Sequence, residues 1–133
     1  MILKAKQLLE TRLSTLGFPT AYDNVSFEQP NELFLACTLT ISKPDDAGFG
    51  DIDYYRERFR FVVIVHDEPN QGTGNCIEVA EQVRNLFKRG TTLEDGNIRL
   101  QVLNVPHVST PINLNTGIAI PVNISVLAEN LSL

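Results

Sequence analysis

The stretch from Arg56 to Gly90 constrains this chain most, because it joins a strand pattern to a helix pattern through a turn-rich loop. Phe59, Phe61, Val63 and Val65 fall on one side of an alternation, with Arg56, Arg58, Arg60, Val62 and Ile64 on the other. That is a strand with one face on a core and one face partly wet. The segment H-D-E-P-N-Q-G-T-G ends the alternation, and Cys76, Val79, Ala80, Val83, Leu86 and Phe87 then share one helical stripe. Asn75 with Glu78 reads as a capping box at the start of that helix. Gly90 reads as its left-handed stop.

The rest of the chain is fitted around that pair. Ile2, Leu3, Ala5, Leu8, Leu9, Leu13 and Leu16 form a second helical stripe, ended by Gly17 and Pro19. A polar connector, T-A-Y-D-N-V-S-F-E-Q-P-N-E, is expected to be pinned by Tyr22, Val25 and Phe27. Leu33, Leu35, Cys37, Leu39 and Ile41 alternate with Phe34, Ala36, Thr38, Thr40 and Ser42, giving another strand in which Cys37 is expected as a buried structural thiol. Residues 43–53, K-P-D-D-A-G-F-G-D-I-D, form a projecting loop. A third strand runs from Ile98 towards Val105, with an end or a bulge near Asn104. P-H-V-S-T-P-I-N-L-N-T reads as a loop, and the last strand runs from Gly117 to Ala128. Pro121 lacks a ladder donor, so this strand is expected at an edge or with a bulge.

The order α-β-β-α-β-β predicts an α+β fold in a single domain, 1–133. It is a two-layer sandwich, a four-stranded, mostly antiparallel sheet with two helices on one face. The other face, with Thr38, Thr40, Tyr54, Arg56, Arg58, Arg60, Arg99, Gln101, Asn123 and Ser125, has nothing left in the chain to cover it. A bare sheet face with long arginines, aromatics and open edges is a surface for assembly. The candidate interface residues are Phe49, Asp51, Tyr54, Tyr55, Arg56, Arg58, Arg60 and Arg99. Like charges two residues apart on one strand face repel unless acids or solvent relieve them. The arginines therefore stand either over scattered counterions of their own chain or against carboxylates of an adjacent subunit.

Composition narrows the function classes. A net charge of -5 argues against a general nucleic-acid binder. Two cysteines without C-x-x-C spacing give neither a disulfide framework nor a zinc site. The first ten residues carry charges through their apolar stretch, unlike a signal peptide, and no apolar run approaches the roughly 20 residues of a membrane span. A soluble, cytosolic protein is expected. Gly72 and Gly74 precede a helix, but Ile77 stands where a dinucleotide fingerprint needs a small residue, and no Lys-Ser or Lys-Thr follows. His66 with Asp67 and Glu68 lacks a metal-ligand spacing, and Asp45, Asp46, Asp51 and Asp53 lack the remaining positions of a calcium hand. No serine sits in a G-x-S-x-G elbow. No catalytic, cofactor or metal-binding residue is assigned.

Several segments, in order, resemble the tail terminator (tail completion) proteins of long-tailed bacteriophages. P-T-A-Y-D-N-V-S-F-E-Q-P is similar to that family's aromatic-Pro-Asn-Val-x-Phe-x-Pro stretch, with Tyr22 in the aromatic place and Asp23 in place of proline. R-F-V-V-I-V-H-D-E-P-N-Q-G-T-G-N resembles its strand, acidic-Pro loop and glycine pair. N-L-F-K-R-G, T-T-L-E-D-G and the closing G-I-A-I-P-V-N-I-S-V follow, the last with the family's frequent Pro-Val at Pro121-Val122.

The resemblance implies a homohexameric ring in the neck region of the virion tail, made in the host cytoplasm. The ring would cap the tail tube protein, end tube polymerisation and offer a joining surface to a head-completion protein. DNA would pass through its bore without specific binding, and no membrane is involved. A competing reading is a ferredoxin-like domain that binds a small molecule or acts as an enzyme, since such folds host many activities. A third is a nucleic-acid module using the arginine face, which a steep salt dependence of binding would reveal.

Overall fold

The described residues of the computed structural model, 1–42, 45–46 and 55–130, form two helices and nine strands. Along the chain these are α1 (Ile2–Ser14), β1 (Thr20–Ala21), β2 (Phe34–Ile41), β3 (Asp45–Asp46), β4 (Tyr55–Asp67) and α2 (Gly74–Leu86). They continue as β5 (Thr92–Asp95), β6 (Ile98–Val102), β7 (His107–Val108), β8 (Ile112–Leu114) and β9 (Gly117–Asn130). No helix among the described residues is long and apolar enough to cross a membrane.

One mixed sheet holds all nine strands, in the order β1-β2-β4-β9-β6-β5, with β3 on β4 and with β7 and β8 on β9. This overturns the expected four-stranded sandwich. The two long strands, β4 and β9, pair antiparallel from Arg56↔Glu129 to Asp67↔Ile118. Such a strand needs partners for the backbone groups on its other edge too. The chain supplies them in pieces: β6 covers 126–130, β7 covers 122–123 and β8 covers 117–119. The segment expected as a loop after Pro106 is therefore partly sheet, and β9 is an interior strand. Pro121 sits where that patchwork is broken, between β7 and β8. Its carbonyl accepts from Ser109 N at 2.9 Å. A residue's nitrogen and carbonyl face the same neighbour in an antiparallel ladder, so the missing donor faces the break.

The sheet is curled. At one edge, Leu93 and Asp95 of β5 border a groove with Gln7, Leu8 and Arg12 of α1. At the other, Tyr22 and Val25, just past β1, border a groove with Lys6, Glu10 and Ser14 on another side of the same helix. A flat sheet of this width could not reach both sides of one helix, so the core face is concave and the outer face convex. Accumulated strand twist bends sheets in this way.

The core fills that concavity. Ala5, Leu9 and Leu13 of α1 and Cys76, Val79, Ala80 and Val83 of α2 meet Leu35, Phe61, Val63, Val122, Ile124 and Val126, all buried. Each fully buried aliphatic side chain contributes about 1.5–3 kcal/mol before entropy is counted. Arg12 Nε donates to the Leu86 carbonyl at 2.8 Å, tying α1 to the last turn of α2.

Local expectations change at several points. The N-cap of α2 is Thr73, without a side-chain cap bond, so Asn75 lies inside the first turn and the Asn75–Glu78 capping box is not formed. The helix closes at Phe87, and Gly90, at φ +87°, instead turns the chain so that its N–H reaches the Val102 carbonyl. Gly96, with positive φ, is the first of two loop residues between β5 and β6, as a type II′ hairpin requires. Gly117 opens β9 at φ +141°, where a Cβ would collide with the Asp67 carbonyl oxygen.

A candidate assembly face

Strand register fixes the neighbours of the outward side chains, because residues alternate between faces and align across the ladder. At the start of β4, Arg56 lies opposite Glu129, and Glu129 lies opposite Arg99 on its other side. The row continues to Glu94 of β5. Four strands thus carry one row of alternating charge: Arg56, Glu129, Arg99, Glu94. Arg99 Nη2 is 3.6 Å from Glu129 Oε2, whose side chain is only 15% exposed. Arg58 stands beside Leu127, and Arg60 stands between Thr40 and Ser125. Arg56, Arg58 and Arg60 are all exposed.

The far half of the same face is covered. Phe34 stacks on His66 with ring centroids 4.7 Å apart, and Phe27 of the connector lies on Phe34 at 5.3 Å. Burial pushes the His66 imidazole below its ordinary range, favouring the neutral ring. Ala36, Val62 and Ile64 are half-buried and border a pocket with Tyr22, Asp23 and Asn24. Thr38 Oγ1 donates to Asp23 Oδ2 at 2.9 Å, holding the connector to β2. The face expected to be bare is therefore covered over this half. Tyr22 and Phe27 pin the connector, whereas Val25 is 61% exposed and does not.

Of the candidate interface residues, Arg56, Arg58, Arg60 and Arg99 share this face, and Arg56 and Arg99 are brought together through Glu129. Tyr55 begins β4 opposite Asp46. Phe49, Asp51 and Tyr54, with most of the 43–53 loop, lie outside the described residues. Glu129 was missed by sequence reasoning. Its role depends on which strand lies between β4 and β6, and no local pattern reports that.

Other chemistry has little to stand on. Burial, reinforced by Glu10 and Asp23, pushes the Cys37 thiol up to about 12, and burial pushes Cys76 up to about 11. Neither is a thiolate at neutral pH. Cys76 Sγ lies 3.4 Å from the Val65 carbonyl as a donor. Among the described residues no group of three or more His, Cys, Asp or Glu could hold a metal ion. A groove of about 630 Å³ between α1 and β5 is lined by Gln7, Leu8, Thr11, Arg12, Thr15, Leu93 and Asp95. It brings together no nucleophile with a base to activate it.

The architecture recurs in a solved structure that is 19% identical, with a TM-score of 0.73 over 93% of this chain and 92% of that one. At that identity the likeness shows a shared fold. Among curated proteins, none matches the sequence. The family described as phage tail terminator protein matches residues 4–125, nearly the whole chain. The chain belongs to that family, and its role is that of a structural component of a bacteriophage tail.

Proposed function

We propose that this chain closes into a ring, hexameric as the family resemblance implies, on the last ring of the tail tube. There it ends tube polymerisation in the neck region and presents a joining surface to a head-completion protein. The role is structural rather than catalytic. One observation supports the reading: Arg56, Arg58 and Arg60 stand exposed, side by side, on the outer face of β4. A ring subunit needs unlike surfaces for its two neighbours and an axial surface for the tube, and a convex sheet with one polar end and one covered end is asymmetric in the required way. The net charge of -5 per chain repels phosphates, which suits a passage for DNA that does not bind it.

Mass by light scattering tests this. Wild-type protein at high concentration is expected to give a closed assembly of about six copies. Arg58→Glu with Arg60→Glu is expected to give monomers with an unchanged circular dichroism spectrum. Assembly that survives the double reversal removes the arginine face from the interface. Monomers at every concentration, with no ring on purified tail tubes, contradict the ring itself.

A further inference from the structure

The strand order has two outer edges, and both are partly open among the described residues. At one edge, β1 pairs β2 only at Leu35 and Ala36, and β3 pairs β4 rather than β2. Leu35 N donates to the Pro19 carbonyl on the β1 side, whereas Ser42 N donates to the Arg58 carbonyl on the β4 side. Alternate residues of a strand aim their backbone groups at opposite neighbours, so Leu39 and Ile41 aim theirs away from β4. At the other edge, β5 pairs only β6. The tight turn between them makes Asp95↔Ile98 a hydrogen-bonded pair, and Leu93↔Leu100 the next one. Thr92 and Glu94 therefore aim their backbone groups outward. Both edges hold donors and acceptors without a partner among the described residues.

The side chains at the two edges match as well. Leu39 and Ile41 lie on the inner side of the sheet, opposite buried Phe61 and Phe59, yet Ile41 is 51% exposed. Leu93, opposite buried Leu100, is on the inner side of β5 and lines the groove with Leu8 of α1. We infer that the β5 edge of one copy takes the β2 edge of a second copy as an added parallel strand, with Leu39 and Ile41 entering the groove between α1 and β5. The inference rests on the ring reading and names the strands that join its subunits. Four antiparallel steps separate β2 from β5, so the two run the same way, and a sheet continued in one sense from copy to copy pairs them parallel. In a parallel pair, a residue whose groups point outward stands opposite one whose groups point back into its own sheet. Leu93 then falls opposite Leu39 or Ile41, on the same face. Antiparallel pairing would instead set Leu39 and Ile41 opposite Thr92 and Glu94, on the outer face and away from the groove. Pairing β5 with β5 would bring Glu94 and Asp95 of two copies together, and like charges across a ladder oppose that. A contact between unlike edges is heterologous and propagates until it closes.

Sedimentation, read as the association constant, tests the pairing. Ile41→Lys charges a side chain that is already exposed, and is expected to weaken association about ten-fold or more with an unchanged circular dichroism spectrum. Glu94→Pro removes a donor that makes no bond within the chain and leaves the β6 ladder intact, so the same loss is expected. Glu94→Thr keeps that donor and is expected to assemble like wild type. Leu93→Cys combined with Leu39→Cys or with Ile41→Cys is expected, in one of the two registers, to cross-link on oxidation into species of more than two chains. If wild-type protein forms its ring and either Ile41→Lys or Glu94→Pro does so equally well, or neither cysteine pair cross-links, the edges named here are wrong and the ring reading stands. Cross-linking that stops at two chains overturns the propagation, and a loss in Glu94→Thr equal to that in Glu94→Pro overturns the backbone pairing. Wild-type protein that stays monomeric, with no ring on tail tubes, removes both readings.

Discussion

Val62, Ile64 and His66 share the outer side of β4 with Arg56, Arg58 and Arg60, but only the first three are covered. Nothing in the strand itself decides this, since both halves alternate with the same buried Phe59, Phe61, Val63 and Val65. The connector after β1 decides it. It doubles back at Asn24, which takes φ +56°, and lays Phe27 over Phe34 at one end while leaving the arginine end open. A sheet face is thus not buried or exposed as a unit. The path of one short segment divides it into a piece of core and a piece of surface.

The largest break in that comparison comes from where the covered end is anchored. Gly117→Ala forces a Cβ onto the Asp67 carbonyl at a φ that L residues rarely adopt, so a loss of about 3 kcal/mol or more in urea unfolding is expected. Next, Phe34→Ala strips the cover between Phe27 and His66 and should cost about 2 kcal/mol. Thr40→Ala, on the open half, should stay within about 0.5 kcal/mol. Equal costs would mean that the two halves do not differ. Glu129→Arg sets a third cation between Arg56 and Arg99, which should cost about 1 kcal/mol at low salt and less at high salt.

The smallest effect is one of pH. Burial keeps folded His66 neutral below the ordinary histidine range, so as pH falls past about 6.5 the unfolded chain takes up a proton that the folded chain refuses. This contribution is intact above that pH and is lost progressively down to the folded value. His66→Phe should flatten this slope in unfolding measured at pH 5 and pH 7. An unchanged slope would place His66 in contact with solvent.

Much of this frame was legible in the residues. β2, β4, β9 and both helices follow from periodicity, because each buries one continuous apolar side. β7 and β8 were not legible: two or three residues between prolines carry no period, and they become strands only because β9 has an unpaired edge beside them. Gly90 and Asn75 misled for a related reason, as their cap chemistry fitted a helix whose true ends are set by packing and by the Gly90–Val102 bond. At the site, the arginines were visible as an alternating set. The alignment of Arg56 and Arg99 with Glu129, and the cover over the other half of the face, required strand order and the return path of the connector, both tertiary facts.

Electron microscopy of tail tubes grown with this protein tests the central claim most directly. The account predicts one ring of density at a single end of each tube and no further elongation from that end. Tubes that lengthen at an unchanged rate with both ends bare would contradict it.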